Sequence, residues 1–283
     1  MTTRMRGLGT FALLAAGAVA SPAVAQTSWR DVTTSRLIGA ESSVDVEVKY
    51  GAGALRIGPA ATGTLYRMQL RYDEDAFQPV TEYQRGQLRL GVEGGNRRVQ
   101  VGRDNDEGSM ELELARGLPM ALQLDFGAVR ADLDLGGLAL TDLELRTGAS
   151  ETQLDVSSPN TAKLGRARLE VGAAEFTARQ LGNLNTTDLS VSAGVGKVRL
   201  ELSGEWRQDA TLDVQMGLGS LELVVPEGLG VRLVRQTFLA SLDSEGLVKR
   251  GEAYYSPNWD NARRRVTVDV DAAFGSIKVL WIK

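Results

Sequence analysis

The sequence predicts an all-β chain wound into a single β-solenoid, on three observations. Runs of alternating apolar and polar residues fill most of the chain beyond residue 40, the period-2 signature of strands with one buried face. The runs lead into evenly spaced glycines: Gly127, Gly148, Gly172, Gly194 and Gly217 stand 21, 24, 22 and 23 residues apart. Helical i, i+3, i+4 spacing is hardly sustained past the first 25 residues. A repeat of about 22 residues suits one coil, which buries its apolar face only by stacking on its neighbours. An antiparallel β-sandwich is the alternative, since sandwich turns recur every ~8–12 residues and that spacing also fits inside such a unit.

Residues 1–25 read as a secretory signal peptide. Arg4 and Arg6 form a positive start, Leu8 to Ala20 a short apolar run, and Ala23-Val24-Ala25 a small-residue cleavage site. Cleavage would remove two of the 32 basic residues and none of the 36 acidic ones, leaving a net charge near −6. No later run approaches the ~18 apolar residues of a membrane-spanning helix. The expected location is therefore exported: periplasmic, cell-surface or secreted.

Residues 26–115 are a less regular β region. Val46-Glu47-Val48-Lys49-Tyr50 before Gly51 is a first copy of the strand–glycine pattern, with Leu55 to Ile57 after it. Thr64 to Tyr72, Gln87 to Val92, Arg98 to Val101 and Met110 to Leu114 read as strands. Asp104 to Gly108 is a charged loop rich in oxygen ligands, but it lacks EF-hand spacing and reads as a solvated loop rather than a calcium site.

Residues 116–283 are the regular solenoid with a C-terminal cap. Each glycine separates two alternating runs, as in Leu189 to Ala193, Gly194, then Val198 to Leu202. Glycine between strand runs marks a corner or a close backbone approach. Val270 to Phe274 before Gly275 reads as a last copy, giving seven. Gly194-Val195-Gly196-Lys197 has the letters of a phosphate loop. However, position 191 is Val where a Walker loop needs Gly, Val198 follows the lysine, and a strand follows rather than a helix. It reads as a coil corner.

These strands and glycines resemble the bacterial toast-rack β-solenoids, an adhesin-like group that includes the C-terminal domain of LiaF-type cell-envelope stress regulators. Tyr254 to Ala262, the strand Arg265 to Asp271 and the ending Ala273 to Val279 carry the likeness. So does Leu223 to Gly228 followed by Val231 to Leu233. The resemblance implies a non-catalytic envelope protein.

The chain has neither cysteine nor histidine. That removes disulfides, Ser-His-Asp and Cys-His catalysis and histidine metal sites. An acidic balance does not suit nucleic acid. No catalytic residue, cofactor or metal ligand is assigned. The expected role is an exported binding scaffold, adhesin-like or stress-related, with a protein or envelope component as partner. The alternatives are a carbohydrate-active enzyme using outer-face acids (Asp132, Asp134, Glu144, Asp155, Glu170, Asp188, Asp213, Asp269, Asp271) and a purely structural envelope protein. The candidate binding patch is Tyr254, Tyr255, Trp259, Arg263 and Arg264, next to Arg265. Aromatics beside arginine are the usual content of binding hot spots, and the same rings would cap the open end of the solenoid.

Overall fold

The structure, a computed structural model, describes residues 28–94 and 108–283, with no account of the side chains of residues 237 and 238. The signal-peptide segment, the strand expected at residues 98–101 and residues 104–107 of the charged loop lie outside the described residues. In chain order the strands are β1 (Trp29–Leu37), β2 (Val44–Pro59), β3 (Thr64–Asp73), β4 (Phe77–Gln84), β5 (Gln87–Gly94), β6 (Ser109–Leu114), β7 (Pro119–Asp134) and β8 (Ala139–Asp155). They continue with β9 (Ala167–Arg179), β10 (Asp188–Glu201), β11 (Ala210–Pro226), β12 (Gly230–Asp243), β13 (Val248–Arg250), β14 (Ala253–Tyr255) and β15 (Arg265–Ile282).

The two alternating runs of each repeat form one long strand bent at the corner. Eight such strands stack in parallel in the order β2-β7-β8-β9-β10-β11-β15-β12. Parallel pairing throughout this stack is the solenoid and not the antiparallel sandwich. β12 is an eighth copy with no glycine at its corner, and β15, last in sequence, lies between β11 and β12. Register also shifts one assignment: Gly275 pairs with Gly219, so Ala273, not Gly275, takes the place of the first corner glycine.

Burial follows the apolar runs but changes phase at the bend. In β10 the buried residues are Leu189, Val191 and Ala193, then Val198 and Leu200. The first set is odd-numbered and the second even, because the corner spends an odd number of steps turning. Without that shift the second half would face its apolar side to water. In-register rows of the core form on both halves, such as Val46-Leu122-Leu143-Ala167 and Ile57-Leu133-Leu154-Ala178. Each fully buried Leu or Val contributes roughly 1.5–3 kcal/mol. Gly196, Gly219 and Gly275 stack at the bend with φ of 142°, 149° and 135°. A Cβ on Gly219 would lie 1.8 Å from the Gly196 carbonyl oxygen, so only glycine fits.

The return loops are held by buried asparagine. Asn160 Nδ2 donates to the Leu140 and Leu184 carbonyls, at 2.9 and 3.1 Å, and its Oδ1 accepts from Leu140 N at 2.8 Å. One side chain thus ties three successive coils. The two ends of the stack are covered differently. At one end β5 pairs the first half of β2, and β6, carrying β3 and β1, pairs the second half. At the other, β14 and β13 cover only Arg232 to Val234 of β12. Arg235 stands in the row of Val270 and Val214 and donates from Nη1 to the Ala240 carbonyl at 3.4 Å. A charge at a core position discourages further strands from pairing with this edge.

Candidate functional site

The aromatic cluster forms because β14 folds back on β12. The register sets Tyr255 opposite Arg232 and Tyr254 opposite Leu233. The buried Ser256 locks this arrangement: its Oγ accepts from Val231 N at 2.9 Å, and its own N donates to the Val231 carbonyl at 2.8 Å. A single turn at Trp259–Asn261 then brings the Trp259 ring edge-on to Tyr255, with centroids 5.5 Å apart. Cations stand over all three rings. Arg265 lies 5.6 Å from Trp259, Arg250 5.3 Å from Tyr255 and Lys249 5.8 Å from Tyr254. Arg232 donates from Nε to the Tyr255 hydroxyl at 3.3 Å, and Arg250 pairs with Asp260 at 2.9 Å. The rings are half-buried, so faces and edges remain open to water.

Of the five residues expected at this patch, three come together and two do not. Arg264 turns away and donates from Nε to the Trp206 carbonyl at 3.2 Å, tying the segment before β15 to a return loop. Arg263 is exposed and makes no ion pair among the described residues. Their places are taken by Arg265, Arg232 and Arg250. The last two come from other strands, and only cross-strand register could have found them.

A second surface runs along the bend. The residues just after the first corner position are in register from coil to coil: Ala52, Ala128, Ala149, Ala173, Val195, Leu218, Phe274 and Leu239. All are apolar. Val195, Leu218, Phe274 and Leu239 are 51%, 51%, 44% and 64% exposed, four of the six large apolar residues exposed among the described residues. Beside this row runs an open groove of about 700 Å³ floored by Gly172, Gly194 and Gly217 and walled by Arg146, Glu170, Gln215 and Asp271. A second groove of about 480 Å³ shares Arg146 and extends it towards Lys49 and Asp125.

The outer-face acids are spread over several ladders. Glu170 and Asp271 wall the same groove three strands apart, roughly 14 Å at ~4.8 Å per strand, and no aromatic ring lines it. Asp134 accepts from Ser157 Oγ at 2.8 Å and Gly136 N at 2.9 Å. Asp155 stands opposite it on the next strand. Burial, then the charge of Asp134, raises its carboxyl above the usual range. Lys197 of the GxGK stretch points outward, 3.9 Å from Glu175, with strand on both sides of it. Among the described residues no group of acids could hold a metal ion, and no helix is long and apolar enough to cross a membrane.

The profile of one protein family, described as "N-terminal domain of toast_rack, DUF2154", matches residues 25–179 and again residues 166–224. The chain belongs to the toast-rack family. The overlapping second match is in keeping with the repetition: the same profile fits β9 to β11 as well as the earlier coils. No curated relative matches this toast-rack chain. Among solved structures, a "putative cell adhesion protein" of Clostridium sporogenes ATCC 15579 is 16% identical with a TM-score of 0.45, covering 89% of this chain and 100% of that one. A "putative adhesin" of Bacteroides fragilis NCTC 9343 is 11% identical with a TM-score of 0.34, covering 89% and 97%. A "Putative lipid binding protein" of Parabacteroides distasonis ATCC 8503 is 10% identical with a TM-score of 0.29, over the same shares.

Proposed function

We propose that the chain is a non-catalytic, exported binding scaffold of the cell envelope or surface, and that it holds its partner through Tyr254, Tyr255 and Trp259. The reading rests on one observation: three half-buried rings, each under a cation, are fixed on a hairpin at the end of a rigid stack. Rigid aromatics lose little conformational entropy on contact, and with arginine they carry most binding energy at protein interfaces. The leader-like residues 1–25 support export. For the carbohydrate-active alternative, a glycosidase pair needs two carboxyls within about 5–9.5 Å, and Glu170 and Asp271 of the open groove stand too far apart to be that pair.

The test is crosslinking and pull-down from the native envelope with the wild-type chain, Trp259→Ala and Arg263→Ala. Loss of about 2 kcal/mol at a hot spot corresponds to roughly 30-fold weaker capture. Trp259→Ala should show that loss with an unmoved thermal midpoint, and Arg263→Ala should bind like wild type. Lost stability with unaltered capture would leave the cluster as an end cap alone.

A further inference from the structure

We infer that the apolar row along the bend is a contact surface for a second copy of this chain, packed antiparallel about a twofold axis at β10. The size gradient carries the inference. From β7 to β9 the row is Ala128, Ala149 and Ala173, and from β11 to β12 in stacking order it is Leu218, Phe274 and Leu239, with Val195 of β10 between. A twofold axis through β10, perpendicular to the stack, lays Leu218 on Ala173 of the other copy, Phe274 on Ala149 and Leu239 on Ala128. Val195 meets itself. Every large side chain then faces a small one, the alternation that lets two surfaces interdigitate.

No neighbouring centre does as well. Moving the axis to β11 sets Val195 against Phe274. Moving it to β9 leaves alanine facing alanine in the middle and Leu239 beyond the first coil. Charge supports the same centre. In the groove wall beside the row, Arg146 on β8 would face Asp271 on β15, whereas an axis at β9 would set Glu170 against itself. With the axis at β10, the seven strands from β7 to β12 in stacking order overlap, about 29 Å at ~4.8 Å per strand; at a width of roughly 15 Å, two copies bury on the order of 900 Å². That is the low end for a specific interface, so the dimer should be weak, with Kd on the order of micromolar. The contact does not involve Tyr254, Tyr255 or Trp259.

Sedimentation equilibrium over nanomolar to ~100 μM protein decides it. The wild-type chain should pass from monomer to dimer in the micromolar range. Phe274→Ala and Ala149→Phe should each weaken dimerisation at least about tenfold. The double variant should return to within about threefold of wild type, because the swap restores large against small in both contacts. These two residues lie four strands apart in one chain, so a folding effect would add rather than cancel. Leu239→Ala with Ala128→Leu gives the same test if Ala149→Phe lowers the thermal midpoint. A monomer at every concentration, a dimer indifferent to the single changes, or a double variant no better than the singles would each overturn the inference. Binding of the monomer to neutral phosphatidylcholine vesicles, lost in Phe274→Ala, would overturn it in favour of a lipid surface.

Discussion

Gly219→Ala tests how the bend is made. Gly219 has a φ of 149°, and a Cβ there would meet the Gly196 carbonyl oxygen at 1.8 Å and its carbon at 2.9 Å. The obstacle is backbone in the neighbouring strand of a continuous parallel ladder, so it cannot rotate aside as a side chain would. Placing an L-residue in this glycine-only region costs about 1–3 kcal/mol. Forcing the strands apart adds another ~1–3 kcal/mol of overpacking. Their sum centres near 4 kcal/mol, a large part of the ~5–15 kcal/mol that holds a typical domain together. For a chain of this size that lowers the thermal midpoint by roughly 8–16 °C. Gly58→Ala is the matched control: it lies in β2 without a positive φ and with nothing within 4 Å of its Cβ position. It should be neutral or up to ~1 kcal/mol more stable. Thermal melts followed by far-UV circular dichroism compare the two. If Gly219→Ala melts together with Gly58→Ala, the corner is not a glycine-only turn and the argument fails.

Three further outcomes follow from side chains. Asn160→Leu removes three buried hydrogen bonds that join successive coils, and urea unfolding should show a loss of roughly 3 kcal/mol. Ser256→Ala leaves the Val231 N–H without its acceptor and should cost about 1–3 kcal/mol, with fluorescence of Trp259 shifting to the red as the rings loosen. Asp155→Asn should raise the thermal midpoint at neutral pH. The folded carboxyl is held above its usual range, so its charged form weakens the fold. That penalty is full above the folded pKa and absent below the unfolded one. The gain should therefore vanish below about pH 4, as melts across a pH series would show.

The coil pattern was legible because its cause is local. Alternation and corner glycines depend on a few neighbouring residues, and Leu189 to Leu202 show both. Less visible was anything set by register between distant strands. β12 escapes the count because Ala240 stands where neighbouring coils have Gly275, Gly219 and Gly196, and the insertion of β15 beside it is a long-range choice no local run encodes. Gly275 misleads for a related reason: it is a true corner glycine, but the second of the pair rather than the first. At the aromatic cluster the rings were legible by proximity in sequence, whereas Arg232 and Arg250 reach them across the sheet. The outward row was written in the sequence at every corner. An apolar residue beside a strand glycine looks like core until the phase change at the bend is known.

The phase change is also the claim on which everything else depends, since it buries both halves of each coil and turns Val195 and its row outward. The chain has no cysteine, so a single introduced thiol reports on its own site. Thiol modification rates of Val191→Cys, Val195→Cys and Val198→Cys, measured at nanomolar protein to keep copies apart, test it directly. Rapid modification at 195 with protection at 191 and 198 is the expected result. Protection at 191 and 195 with rapid modification at 198 would mean unbroken alternation through a straight strand, and would contradict the bend, the outward row and the twofold contact together.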